Sequence, residues 1–371
     1  MQNIFSLKTI CLLLFFVSTL AFAQDEQEKM HLEEIAPEVE GKQGLKEEIK
    51  EYINHHLLDS HDFGLYSYET DAGEHKYVGF PLPVILWDDG LQMFSSSKLH
   101  HGESVAEVNG NYYKLYHGKI YKTNAEGTIH HDAHHHATNF KPLDVSITKN
   151  VFTILLVGLL IFFMFRSMAK SYTKGALPKG MGRLLEPVVL YIRDDIAIPN
   201  IGIKKYKRYM PYLLTVFFFI WIINLLGLTP LGVNVTNNIA VTLALALLTY
   251  LITTFTANKN YWGHIFWMPG VPWPMKIILA PIELLGTFIK PFSLLIRLYA
   301  NITAGHIVLM SIIGLMFIFK NWLGSSLSFG LAFVLALLEL LVAALQAYIF
   351  TMLSALYFGS AVEEQHHEDH H

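Results

Sequence analysis

From Val151 onward the chain alternates long apolar stretches with charged loops, and before that point it is mostly polar with short alternating runs. The apolar stretches are Val151 to Phe165, Tyr212 to Leu228 (ending before Pro230), Ile239 to Phe255, Ile277 to Phe319, and Leu327 to Ala361. With its flanks, each can cross ~30 Å of hydrocarbon as a helix, and the last two exceed what a perpendicular helix needs. The excess predicts strong tilt, kinking or a re-entrant path. The polar part follows other periods. Gln24 to Gly44 is charged and poor in aromatics, the composition of a disordered segment. Leu45, Ile49, Ile53 and Leu57 recur every fourth residue and predict a short amphipathic helix. Tyr77 to Trp87 ahead of Asp89-Gly90, and Tyr112 to Tyr116 and Ile120 to Thr123 around His117-Gly118, predict strands and turns. A small α+β segment is expected there.

The N-terminus has a third pattern. Lys8 is the one charge before an apolar run from Ile10 to Phe22, which closes on Ala21-Phe22-Ala23. This is the layout of a secretory signal peptide cleaved before Gln24, and the run is short for an uncleaved membrane helix. The expected organisation is a signal peptide (1–23), an exported periplasmic segment (24–147), an all-α polytopic membrane domain (148–364) and a cytoplasmic His-rich tail (365–371). An external N-terminus puts the loop between the first two spans in the cytoplasm. That loop holds Arg166, Lys170, Lys174, Lys179, Arg183, Arg193, Lys204, Lys205, Lys207 and Arg208, the densest basic cluster in the chain, as the positive-inside rule requires.

Composition narrows the classes. Hydrophobic residues make up 52% of 371, and the mean hydropathy is +0.35, both in keeping with membrane spans. A formal net charge of −4 offers no basic excess for nucleic acid. The one cysteine, Cys11, falls inside the signal segment, so a cleaved chain has no disulfide or thiolate metal site. No GxxxxGK[ST] loop is present to bind ATP.

An ionisable residue inside a span costs at least ~2.5–3.5 kcal/mol on insertion scales and marks a functional site by default. The fourth stretch holds Glu283, Lys290, Arg297 and His306, and the fifth holds Glu339. Glu283, Lys290 and Arg297 are seven apart and share one helix face, with Ser293 and Asn301 four residues to either side of Arg297. His306 lies nine residues past Arg297, about half a turn away in angle, so it serves a different partner. Glu339 and Gln346 are again seven apart. An antiparallel hairpin of the two helices is expected to bury Arg297 near Gln346 and to bring His306 near Glu339.

The run from Lys290 through Arg297, Asn301 and Gly305 to His306 (KPFSLLIRLYANITAGH) resembles the signature of subunit a of F-type ATP synthases. Leu345 to Phe350 resembles that family's last-helix motif, and Ile239 to Leu247 its third membrane region. The likeness covers roughly Val151 to Glu364; the exported segment, with its Gly79-Phe-Pro-Leu-Pro run, looks like the extended form of Bacteroidetes-type members. The resemblance implies a tilted hairpin of the last two helices against a ring of c subunits, with subunit b of the peripheral stalk, lipids and protons as the other partners, and no cofactor. It implies that Arg297 faces the ring carboxylates and separates two aqueous half-channels. Arg297 suits that role because its guanidinium stays charged when desolvated. His306 and Glu339 would line the external half-channel, with the acid and the histidine exchanged between helices relative to one well-known version of the family. Asn238 stands where some relatives carry an acid. Glu283 and Ser293 match the cytoplasmic exit, with Lys290 on the same stripe, and Gln346 packs near Arg297. The chain is then a conductor and stator element, not a catalyst by itself.

Two other functions are open to the residues alone. A proton- or metal-coupled secondary transporter fits the clusters at His130 to His136 and His366 to His371, although no paired broken helices accompany them. Loosely solvated polar runs explain those clusters without a metal site. A purely structural anchor for the exported segment leaves Arg297 unexplained.

Overall fold

The computed structural model describes residues 59–69, 75–132, 137–173, 180–229, 233, 235–268, 270–318 and 322–363. The signal peptide expected at 1–23, the disorder expected at 24–44, the amphipathic helix expected at 45–57, His134 to His136 and the His-rich tail lie outside the described residues.

The N-terminal segment is built from three small antiparallel sheets. Strands β1 (Asp62–Glu69) and β2 (His75–Pro81) pair alone; β3 (Pro83–Trp87) lies between β4 (Leu91–Ser95) and β8 (Leu143–Asp144); β6 (Asn111–Tyr116) lies between β5 (Val105–Val108) and β7 (Lys119–Thr123). The run expected as one strand from Tyr77 to Trp87 is two, broken at Leu82, because β2 pairs with β1 and β3 with β4. Both anticipated turns form: Asp89-Gly90 and His117-Gly118 all have positive φ, the geometry that suits hairpin twist. Alternation buries Val84 and Leu86 against Phe94, Leu99, Ala106, Tyr113 and Ile120. The opposite face leaves Trp87 and Met93 exposed.

Asp88 ties this core together, accepting from the Tyr113 hydroxyl at 2.8 Å and pairing with the Lys122 ammonium at 2.8 Å. Burial pushes its carboxyl up, but the hydrogen bonds from Lys122 and Tyr113 outweigh that and hold it below the usual carboxylate range. A similar pair fastens β8, where His61 Nε2 lies 2.8 Å from Asp144.

The segment is seated on the first membrane helix, α1 (Lys149–Tyr172). The first N–H groups of a helix lack internal partners. Here Lys149 N–H donates to the Ser60 carbonyl at 2.8 Å and Asn150 N–H to Asp59 Oδ1 at 3.1 Å. Phe63, Phe80 and Phe152 pack as a ring cluster across the same junction.

The membrane domain follows as α2 (Met181–Tyr191), a π-helical stretch (Ile192–Ala197), α3 (Ile198–Ile201), α4 (Tyr206–Gly227), α5 (Ile239–Thr256), α6 (Lys259–Phe266), α7 (Trp273–Ile318) and α8 (Trp322–Val362). Five of these helices are long and apolar enough to cross a membrane: α1, α4, α5, α7 and α8. The domain is therefore an all-α polytopic membrane fold. At ~1.5 Å per residue, the 46 residues of α7 and 41 of α8 reach ~69 and ~62 Å. Fitting either within the ~30–45 Å of a bilayer requires a lean of roughly 45–65° if it stays straight. Pro281 and Pro291 inside α7 allow part of this to be taken up by bending.

Helix α8 packs through small side chains. Ala343, Ala347, Thr351, Ala355 and Gly359 recur every fourth residue and all are buried, which lets neighbouring backbones approach closely. Tyr209 of α4 stacks on Phe358 with centroids 4.7 Å apart. The last carbonyl of α8, at Val362, accepts from Lys205 Nζ at 2.8 Å and Asn258 Nδ2 at 3.0 Å, so the helix end is capped by two loops.

Candidate functional site

Two cavities open along α7, one toward each end, with Arg297 between them. The first, ≈ 290 Å³, lies where α4, α7 and α8 meet and is lined by Asn224, Thr236, Asn301, Gly305, His306 and Glu339 among apolar side chains. Two glycines create the room. A Cβ on Gly227 would stand 3.3 Å from His306 Nε2, and one on Gly305 would stand 2.6 Å from Glu339 Oε1. Thr236 donates to Asn224 Oδ1 at 2.9 Å, while Asn224 Nδ2 and Glu339 Oε2 are buried with no protein partner. Unpartnered polar atoms facing a shared space call for water, which takes up ~30 Å³ per molecule, so the cavity has room for several.

The second cavity, ≈ 400 Å³, lies toward the start of α7 and is lined by Tyr261, His264, Glu283, Thr287, Lys290 and Glu363 among others. Lys290 is half-buried here, its ammonium 5.7 Å from the Tyr261 ring and 5.5 Å from the Tyr357 ring. The faces of those rings stabilise a cation partly withdrawn from water. Glu283 shares this cavity, so the seven-residue spacing does bring the two charges to one side.

Arg297 lines neither cavity. Lys290 precedes it by ~10 Å along the helix axis and His306 follows it by ~13 Å. The expectation that it is buried near Gln346 is not met: Gln346 is buried (3% exposed), but the Arg297 side chain is exposed. Leu294, Leu295, Leu298 and Ile302 fill the buried seam of α7, and on an ideal helix they lie roughly 60–160° from Arg297. Arg297 and His306 therefore flank that seam on opposite sides. Among the described residues Arg297 makes no hydrogen bond or ion pair.

The remaining candidates divide. Asn301 is exposed at the mouth of the first cavity, four residues from Arg297. Ser293 is half-buried and lines neither cavity. Asn238 is the N-cap of α5, its Oδ1 accepting from the Ala240 N–H at 3.0 Å, and it does not line the first cavity. Its neighbour Asn237 reaches α7 instead, accepting from the Thr303 hydroxyl. Asn224 and Thr236 were not foreseen. A lone Asn within the otherwise apolar Tyr212 to Leu228 run was the available signal for the first.

Comparison with known proteins decides what this arrangement belongs to. Residues 151–359 match the profile of ATP synthase A chain. The chain belongs to that family. Residues 52–145 match a second profile, a domain of unknown function (DUF8433), and the two meet on either side of Thr148, the N-cap of α1. Among the family's members, the ATP synthase subunit a of Chloroherpeton thalassium is 44% identical over 65% of this chain and 77% of its own length. The ATP synthase subunit a 2 of Prosthecochloris aestuarii is 37% identical over 77% of this chain and 93% of its own length, so that alignment reaches into the segment before α1. The ATP synthase subunit a of Myxococcus xanthus is 43% identical over 62% of this chain and 77% of its own length. Arg297, the first cavity and most of the second cavity's lining lie within the family-matched region, with Ser360 and Glu363 just past its end.

Proposed function

We propose that the chain is the stator proton-channel subunit of an F-type ATP synthase, conducting protons through two offset half-channels and exchanging them with carboxylates on a rotating c ring. The observation that carries this is the position of Arg297, exposed on the outer face of a membrane helix between two polar cavities. An uncompensated Arg at that level costs at least ~2.5–3.5 kcal/mol, which a carboxylate on a neighbouring chain would offset.

A carboxylate moving through lipid must be protonated, because the ionised form is too costly there. Beside the Arg297 guanidinium the ionised form is favoured, and the proton leaves. His306, Glu339, Asn224 and Thr236 form the entry path from the periplasmic side; Glu283 and Lys290 form the exit on the cytoplasmic side. Between the two runs the apolar seam of α7, so a proton cannot cross without riding the ring. Each proton crossing the full potential supplies ~2.3 kcal/mol per 100 mV, which becomes torque, while nucleotide chemistry takes place on other chains. The peripheral stalk, subunit b, holds this chain against rotation. The exported segment is periplasmic and the C-terminus cytoplasmic, in the inner membrane.

Cysteine access tests the two-sided arrangement. With Cys11 removed along with the signal segment, Asn224→Cys and Glu283→Cys each supply a single thiol. A membrane-impermeant maleimide is expected to label Asn224→Cys from the periplasmic side only and Glu283→Cys from the cytoplasmic side only. Labelling of both from one side overturns the proposal.

A further inference from the structure

A third space belongs to neither half-channel. Between α1 and α4 a groove of ≈ 730 Å³ opens on the outer surface of the domain. Its walls are apolar, with Ile161, Phe162 and Phe165 from one helix and Met210, Pro211 and Leu214 from the other. One end carries Arg166 and Lys207. Both cations are exposed, and among the described residues neither forms an ion pair or a side-chain hydrogen bond.

The depth of the groove follows from its lining. On α1 it runs from Arg166 back to Gly158, where open space stands in place of a side chain, and on α4 from Lys207 to Thr215. Each is eight residues, or ~12 Å. One leaflet of the hydrocarbon core is ~15 Å thick, so the slot spans most of a leaflet and begins at a pair of positive charges. Consecutive spans run antiparallel, which puts the last turns of α1 and the first turn of α4 at the same membrane surface. Their connecting loop is the densest basic cluster in the chain, which assigns that surface to the cytoplasmic leaflet, where anionic lipids concentrate.

We propose that this groove binds one anionic phospholipid, its headgroup phosphate held by Arg166 and Lys207 and an acyl chain laid along Phe162, Phe165, Met210 and Leu214. A zwitterionic lipid fills the same slot but brings no net charge to two uncompensated cations. An apolar transmembrane helix of another subunit covers the walls but leaves those cations unmatched.

The test uses the whole assembled complex, stripped of lipid in detergent and supplied with phosphatidylglycerol or phosphatidylcholine carrying a photoreactive acyl chain. Phosphatidylglycerol is expected to label the peptides containing Phe162 and Met210, in competition with unlabelled phosphatidylglycerol and not with inorganic phosphate. In the Arg166→Gln, Lys207→Gln variant the apparent affinity should fall roughly 30-fold, two basic contacts having been removed. The charge-preserving Arg166→Lys, Lys207→Arg variant should keep most of it, which separates loss of charge from loss of assembly. Equal labelling by the two lipids, or labelling unchanged in the Gln variant, overturns the proposal. So does absence of labelling together with crosslinking of Phe162 to another subunit.

Discussion

Two glycines on the α7–α8 hairpin should respond to the same substitution in opposite ways. In a helix interior, Gly→Ala by itself gains roughly 0.5–1 kcal/mol. At Gly305 the new methyl group meets the end of the Glu339 side chain at 2.6 Å, and restoring an ordinary 3.4 Å contact displaces that carboxyl oxygen by about 0.8 Å. A flexible side chain can move that far, so folding and assembly should survive while the entry path loses its geometry. At Gly359 the methyl group meets backbone, with the Asn200 carbonyl carbon at 2.9 Å and its oxygen nearer still. No rotamer relieves that clash; α8 must separate from α3, an overpacking cost of about 1–3 kcal/mol or more. The assay is yield of assembled complex on a native gel, with ATP-driven acidification of inverted vesicles scaled to that yield. Gly305→Ala should assemble within about twofold of wild type and lose between severalfold and ~100-fold in flux per complex, a range typical of sub-ångström to 1 Å misplacement in a working site. Gly359→Ala should lose assembly instead. Full flux in the first variant, or normal assembly in the second, would refute the close packing around Glu339 and Asn200.

Further tests address residues with a narrower role. Asn238→Ala should cost about 1 kcal/mol of stability through the lost cap while leaving proton flux per complex unchanged, read by thermal denaturation and acidification together; a selective loss of flux would return Asn238 to the proton path. The N-terminal β-sheet segment should be acid-sensitive through Asp88. Its pKa is depressed in the folded state, so its contribution is present above the unfolded value of about 3.9 and is lost as pH falls through the lower, folded one. Pulsed hydrogen exchange at β3 and β6 should therefore show protection steady near neutrality and falling below about pH 4, and Asp88→Asn should remove that acid-dependent part. Identical acid profiles for variant and wild type would contradict it.

Much of the architecture could be read from the chain because apolar length and alternation are strong, local signals. All five expected spans form, with ends that differ from the expected ones by up to seven residues, and the hairpins at Asp89-Gly90 and His117-Gly118 form where turn chemistry requires. What escaped was context. The helices from Met181 to Ile201 lie in a loop whose many charges mask their periodicity. The split at Leu82 depends on which strands become neighbours, which alternation within one strand does not specify. Periodicity put Glu283 and Lys290 on one side, where both line the second cavity, and His306 on another, but it does not say which face is covered, and the Arg297 side chain is exposed. Asn224 was passed over because a neutral amide hardly interrupts an apolar run, although burying its unpaired Nδ2 is itself costly.

The role assigned to Arg297 is tested most directly by ATP-driven acidification of inverted membrane vesicles, comparing wild type with Arg297→Ala at equal amounts of assembled complex. The predicted result is loss of the proton gradient with the complex intact. An unchanged gradient would contradict it, making Arg297 a structural residue and removing the link between the two cavities and the ring.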